Sequence, residues 1–319
     1  MAVWEAAFFT TLNCLPMIIG CCANFLVIVS SLLFISVRDI EGTNLFLVSL
    51  SVADFLVCAV YQPLLIIRFN QPDQARSFVL TTCLIGYSLV TVSMNGLLAV
   101  TFDRFVAIYL PFKYITWMNK KNVALLISIS WLVAFVAGNL ALSEIFGVKV
   151  ISQLYTTIII MAVPTLYGVI YKEARKQAEH IVNHSMLGAK DFRKRRHLQA
   201  DRTTRGVGLV LITTMSCWLP VLLFPFFSAT LKSDEDFLRG KLWCITAACV
   251  NSCINLFIYF YKFAKFRRNV RKLFREIQRK LGDSFLRNTN KRGNRISRKV
   301  QDRNQIGTSR RMAWLVNES

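Results

Sequence analysis

Several things are missing from this sequence, and each absence removes a class of function. Histidine is scarce: the 3 copies, His180, His184 and His197, all fall in one polar stretch. No paired nucleophile and base, and no metal cluster, therefore lies within the apolar segments, and an intramembrane enzyme is not expected. The polar stretch itself reads as a solvated charge run rather than a weak metal site. There is no repeat of about 20–50 residues and no low-complexity tract, which excludes solenoids and arrays. Basic residues never line an aromatic-laced soluble face, so no nucleic-acid partner is expected. Before the first apolar run there is neither a basic n-region nor a small-residue cleavage site. The first helix is accordingly expected to be a retained signal anchor with almost no extracellular domain ahead of it.

What the chain does contain is apolar surface and positive charge, kept apart. Of its 319 residues 54% are hydrophobic, yet the formal net charge is +21. Long apolar stretches alternate with short polar, basic ones, which is the pattern of a membrane protein. The 9 cysteines, Cys14, Cys21, Cys22, Cys58, Cys83, Cys217, Cys244, Cys249 and Cys253, fall in or beside the apolar segments and read as buried thiols rather than a disulfide framework.

A bilayer core about 30 Å thick needs roughly 20 apolar helical residues. Seven segments qualify: Phe8 to Ile35, Thr43 to Ile67, Phe78 to Tyr109, Asn122 to Leu142, Val150 to Tyr171, Thr203 to Ser228, and Leu238 to Tyr261. The expected fold class is all-α, a seven-transmembrane helix bundle. An odd number of spans puts the termini on opposite sides, and lysine and arginine mark the cytoplasmic one. With the C-terminus inside, 33 of the 39 Lys and Arg lie inside and 6 outside. The expected placement is therefore a multi-pass plasma-membrane protein with an extracellular N-terminus. Residues 262–280 put Phe263, Phe266, Val270 and Phe274 on one helical face, as in a helix lying on the inner leaflet. Residues 1–281 thus form one domain, and 282–319 a disordered basic tail attracted to anionic membrane lipids.

Polar groups at membrane depth are costly, so each demands a reason. Asn24 and Asp54 sit mid-span, where each can satisfy the other or bind a small cation, against a structural reading as hydrogen-bonding glue. Asp54 is the harder to explain structurally, since a lone carboxylate in hydrocarbon takes up a proton or recruits a positive partner. At the end of the third span stands Asp103-Arg104-Phe105, whose arginine can pair locally, reach another helix, or anchor at headgroups. The sixth span carries Cys217-Trp218-Leu219-Pro220, a proline that permits a kink. The seventh carries Asn251, Ser252, Asn255 and Tyr259, too many polar groups for a lipid-facing surface.

In this order these residues resemble the rhodopsin-like, or class A, G-protein-coupled receptor family, from the first span to the helix after the seventh. The match runs through Asn24, Asp54, Asp103, Arg104, Trp131, Pro164, Trp218, Pro220, Asn255, Tyr259 and Phe266. The resemblance implies a receptor for an extracellular ligand (small molecule, lipid or short peptide) that activates heterotrimeric G proteins by outward motion of the sixth helix. Asp103, Arg104, Phe105, Trp218, Pro220, Asn255 and Tyr259 would form its switch, and the protein would not itself be an enzyme. It also implies an allosteric sodium pocket of Asp54, Ser93, Asn251, Ser252 and Asn255. Ser93 stands 11 residues before Arg104, where the family keeps its pocket serine. No cofactor is required. The competing reading, a small ion-coupled transporter or channel using Asp54, predicts inverted repeats or broken helices that the sequence does not show.

Departures from the family pattern narrow the ligand. Gly86 stands where amine receptors keep an aspartate, and Cys249 where opsins keep a lysine, so neither an amine salt bridge nor retinal is expected. The family's usual disulfide is expected to be missing: residues 143–149 contain no cysteine and Cys83 lies four residues too deep. Such a short loop resembles the melanocortin and lysolipid receptor groups. Phe105, Thr214, Leu256 and the spacing of Tyr171 from Pro164 also differ from the pattern. The expected ligand pocket is Tyr61, Gln62, Gly86, Tyr87, Thr91, Trp218 and Phe224, with packing between helices as the competing explanation for each. Arg193 to Arg196 and the tail residues Ser284, Ser297, Thr308 and Ser309 would meet arrestin and receptor kinases, or simply form a lipid-attracted basic surface.

Overall fold

The computed structural model describes residues 3–34, 42–71, 73–143, 145–184, 212–228, 230–231 and 233–262, and those of 267–280 other than 269, 274 and 277. The side chains of 255–262, and so those of Asn255 and Tyr259, lie outside what is described. So do residues 203–211 of the sixth span, the run Arg193 to Arg196, Phe263, Phe266, Phe274, and the tail from 282.

The chain is helical in nearly all its described residues, with no strand among them. The first span is α1 (Val3–Phe34). The second is α2 (Gly42–Leu56), a π turn (Val57–Tyr61) and α3 (Gln62–Asn70). The third is α4 (Arg76–Tyr109), followed by the short α5 (Pro111–Trp117), which the apolar pattern did not reveal. The fourth and fifth are α6 (Lys120–Ala141) and α7 (Phe146–His184). The sixth is α8 (Ile212–Ser228) and the seventh α9 (Asp234–Lys262). Five of these spans are long and apolar enough to cross a membrane on their described residues alone. Together the seven make the helix bundle expected of the sequence.

Local chemistry explains the irregular places. Pro63 has no N–H and crowds the carbonyl of Ala59, and the chain answers by widening into the π turn, where the Gln62 N–H reaches back to the Val57 carbonyl. α6 opens on Asn119, whose side chain accepts from the Asn122 N–H at 2.9 Å. α7 runs beyond the apolar segment that ends near Tyr171. Its last turns are built of strong helix formers and held by Arg175–Glu179 and Gln177–Glu173 contacts at 3.1 and 3.2 Å.

α4 is the central post, with its most extensive contacts to α6, then α2 and α7. α1 packs on α2 and α9. Four apolar clusters line the bundle among the described residues, the smallest of them Ala53, Val92 and Ala134. One joins Phe46, Leu97, Val123 and Tyr167 toward the Arg104 end, one centres on Met94, Ile160 and Trp218, and one joins Phe9, Tyr61, Phe69 and Leu242 toward the opposite end. Outward faces are apolar too. Leu125, Ile129, Leu132 and Val136 of α6, three or four residues apart, are 47 to 64% exposed, as a lipid-facing stripe requires.

The chain divides into two units, Met1–Arg267 and Arg268–Ser319. In the second, the described residues up to 280 are helical, with Arg268, Arg271, Lys272 and Arg275 exposed and Val270 and Leu273 buried.

Candidate functional site

A cavity of about 530 Å³ opens between α3, α4, α6, α7, α8 and α9, at the end of the bundle opposite Arg104. Along α4 it runs from Cys83 through Gly86, Tyr87, Val90 and Thr91 to Met94, about 16 Å at 1.5 Å per residue. Trp218 and Ile159 cluster with Met94 and mark its deep end. Its other polar walls are Tyr61 and Arg68 from the second span, Ser152, Gln153 and Thr156 from α7, and Lys241 from α9.

Of the pocket residues expected from the sequence, Tyr61, Gly86, Tyr87, Thr91 and Trp218 line this cavity, whereas Gln62 and Phe224 do not. Gln62 follows the π turn directly and is wholly buried, its amide atoms without a hydrogen-bond partner. Phe224 packs one layer out, its ring 5.3 Å from that of Phe237 and close against Gly240, where an added Cβ would stand 2.8 Å from it. Gly86 is required by the Tyr61 ring: a Cβ there would come within 2.6 Å of the Tyr61 hydroxyl and closer still to ring carbons.

Two lining groups were invisible to the sequence reading. Arg68 and Lys241 stand at span ends, where the sequence marks them only as two of the 6 outside cations. In the fold the Arg68 Nη1 donates to the Cys83 sulfur at 2.9 Å, and the Lys241 ammonium lies 5.4 Å from the centre of the Tyr87 ring. The one sequence signal was spacing: Cys83 and Tyr87 are four residues apart and so share a face of α4. Cys83 is a free thiol, as are the other eight cysteines.

Below the cavity lies a buried polar layer. Asp54 is fully buried and accepts a hydrogen bond from the Ser93 hydroxyl. Cys58 and Cys253 stand within electrostatic range of it. Asn251 and Ser252 of α9 are buried as well. Asn24 ties α1 to α9: its amide donates to the Gly20 carbonyl at 2.9 Å and to the Ser252 carbonyl at 3.1 Å, while its own oxygen has no partner. The donors around Asp54 and Ser93 include hard oxygens suited to an alkali cation.

At the far end Arg104 folds back on its neighbour. Its Nε and Nη2 donate to the same Asp103 oxygen at 2.9 and 2.5 Å, and the Tyr114 hydroxyl of α5 donates to the other at 3.0 Å. Asp103 is fully buried, while the Arg104 side chain is 29% exposed. Phe105 stacks on Tyr109 with ring centres 4.7 Å apart. Pro220 lies inside α8, two residues beyond Trp218, and Trp131 of α6 donates to the Ser49 hydroxyl at 3.0 Å.

Comparison with known proteins agrees with this arrangement. The sequence matches the family described as 7 transmembrane receptor (rhodopsin family) over residues 23–150 and 141–259. Among its relatives, the Homo sapiens adenosine receptor A2a is 26% identical over 274 residues, 73% of this chain and 64% of that receptor. The Gallus gallus adenosine receptor A2b is 25% identical over 281 residues, covering 76% and 82%. The Rattus norvegicus trace amine-associated receptor 2 is 27% identical over 282 residues, covering 78% of each. The chain therefore spans somewhat less than two thirds of the human receptor's length and most of the other two. With a match that runs through the buried Asp54–Ser93 pair, the Asp103–Arg104 pair, the second to sixth spans from end to end and parts of the first and seventh, the chain belongs to the rhodopsin family of seven-transmembrane receptors and is a multi-pass membrane protein rather than an enzyme.

Proposed function

We propose that the chain is a cell-surface receptor whose cavity takes an extracellular ligand and whose Arg104 end activates heterotrimeric G proteins. The observation that supports this most is the division of polar groups between two ends of one post, α4. A lined cavity stands at one end, and an arginine locked to a buried carboxylate stands at the other.

Trp218 joins the two ends in this reading. It lines the cavity and lies on α8 two residues before Pro220, where a missing backbone hydrogen bond lets the helix hinge. A ligand with higher affinity for the state in which α8 swings outward shifts a two-state equilibrium toward it. Arg104 then leaves Asp103 and, with Tyr259, faces the G protein. Asp54, Ser93, Asn251, Ser252 and Asn255 would hold a sodium ion, whose charge offsets the Asp54 carboxylate and favours the inactive arrangement. The names of the relatives point to adenosine and to trace amines. A cavity lined by cations, with no carboxylate among its described lining residues, argues against an amine for this chain. Arrestin, receptor kinases and anionic lipid at the basic tail belong to the same reading, as does an extracellular N-terminus.

The test is nucleotide exchange in cells expressing the wild type and Arg104→Ala at matched surface levels. Loss of basal and ligand-driven exchange in Arg104→Ala is the expected result. No exchange from any G protein, together with an ion current abolished by Asp54→Asn, would overturn the reading in favour of a transporter.

A further inference from the structure

The charge of the cavity is one-sided. Arg68 and Lys241 line it, and no Asp or Glu does among the described residues. Three acids at this end are engaged elsewhere. Glu5 and Glu235 both pair with Arg239, at 3.4 and 2.6 Å, and Asp236 accepts from the Ser233 hydroxyl at 2.7 Å. Among the described residues neither Arg68 nor Lys241 has a carboxylate within salt-bridge distance.

What the two cations touch instead is weak. The Arg68 guanidinium has five donors, yet one of its contacts is a thiol sulfur, a poor acceptor, and its buried Nε has no acceptor. Lys241 rests on an aromatic face, which attracts a cation but offers no oxygen. A second buried donor is idle at the deep end: the Trp218 indole N–H is buried without a partner, in a residue only 3% exposed. Buried donors are normally satisfied, so two idle ones around one cavity, with a lysine that meets only an aromatic face, point to an occupant rich in acceptors.

The positions of these donors set the occupant's shape. Arg68 sits against Cys83 and Lys241 against Tyr87. These two α4 residues are one turn apart, about 6 Å along the helix axis. The Tyr61 hydroxyl lies within electrostatic range of Arg68, Cys83 and Tyr87. Below it the walls turn apolar with Val90, Met94, Ile159, Val221, Leu242 and Ile245. From Tyr87 to Met94 this mostly apolar wall, with Thr91 its polar member, runs about 10 Å. The cavity's volume suits a single drug-sized molecule.

We infer that the cavity selects a small organic anion, its carboxylate or phosphate oxygens held by Arg68 and Lys241 and its apolar body running toward Trp218. An amine would add a third positive charge where the first two have no counter-ion. A neutral ligand would desolvate both cations without replacing the lost water, which costs more than it returns. The inference rests on the receptor reading only in taking this cavity as the ligand site.

The experiment uses the full chain purified in a neutral detergent and follows its thermal midpoint with probes that share one apolar body. These are phenylpropionate, its amide, the corresponding phenylpropylamine and a phenylpropyl phosphate, with decanoate and decanamide as a longer pair. Anions should raise the midpoint, and the amides and the amine should not. Carboxylate against phosphate tells which head group is preferred. Lys241→Gln and Arg68→Gln should each weaken anion binding about ten- to a hundredfold, and Lys241→Arg should keep it. Equal shifts with amide and anion, no shift with any anion, or full binding in the Arg68→Gln, Lys241→Gln double variant would overturn the inference. The comparison of probes on the wild type decides it even where a variant fails to fold. Nucleotide exchange measured beside it separates the two readings: anion binding without exchange keeps this inference and removes the receptor function, while exchange driven only by neutral or cationic ligands does the reverse.

Discussion

Arg68 and Arg104 are the same side chain under opposite conditions. Arg104 makes two short bonds to a fully buried carboxylate one residue away, and that carboxylate is held in turn by Tyr114. Arg68 donates to a thiol and keeps a buried N–H without a partner. An arginine that is satisfied within its own chain can act as a latch, because moving it requires a competing acceptor. One left unsatisfied in a cavity is already waiting for a ligand. The difference lies in the acceptor each arginine meets, a carboxylate of its own helix for Arg104 and a thiol of a neighbouring helix for Arg68.

The largest way to disturb this contrast is Asp103→Asn. It removes the charge that holds Arg104, and because the arginine is partly exposed the loss is about 2 kcal/mol rather than the full cost of breaking a buried pair. Basal nucleotide exchange should rise about thirtyfold; unchanged exchange at matched expression would mean that the pair is no latch. Gly86→Ala acts on the other end. Its Cβ collides with the Tyr61 ring, so the thermal midpoint should drop by the equivalent of about 1–2 kcal/mol. A stable variant with unaltered ligand binding would show that the Tyr61 ring turns aside without consequence. Tyr114→Phe deletes one hydrogen bond to Asp103 and should raise basal exchange about fivefold, by about 1 kcal/mol. Smallest is Cys83→Ser, which offers Arg68 a better acceptor. Anion affinity should weaken about twofold, a few tenths of a kcal/mol, and tighter binding would contradict the view that Arg68 is poorly satisfied.

Much of the latch end could be read from the sequence, and much less of the cavity. Asp103 and Arg104 are chain neighbours, so their pairing is local. Ser93 and Asp54 come from different spans, but the spacing of Ser93 from Arg104 placed the serine, and the structure brings its hydroxyl to that carboxylate. The cavity depends on where each helix points its faces. Arg68 and Lys241 stood at span ends, where a cation normally reaches outward to water; packing against Cys83 and Tyr87 turned them inward. Gln62 was expected beside Tyr61 in the pocket, but consecutive helical residues point about 100° apart and the π turn changes the register of this span. Phe224 was displaced for a similar reason: Phe237, from the start of α9, occupies the wall in front of it.

Apolar length and charge spacing are properties of consecutive residues, so the sequence by itself determined the number of spans, the fold class and the family. Which polar groups meet was decided only by the tertiary structure. Asn13 reaches Thr246 at 3.1 Å and Asn24 reaches the Ser252 carbonyl at the same distance, across separations of 233 and 228 residues. A helix satisfies its own backbone in a membrane, so nothing local dictates its rotation. That rotation is fixed by close packing against neighbours and by the cost of leaving a buried polar group unpaired, and both exist only once the bundle has formed.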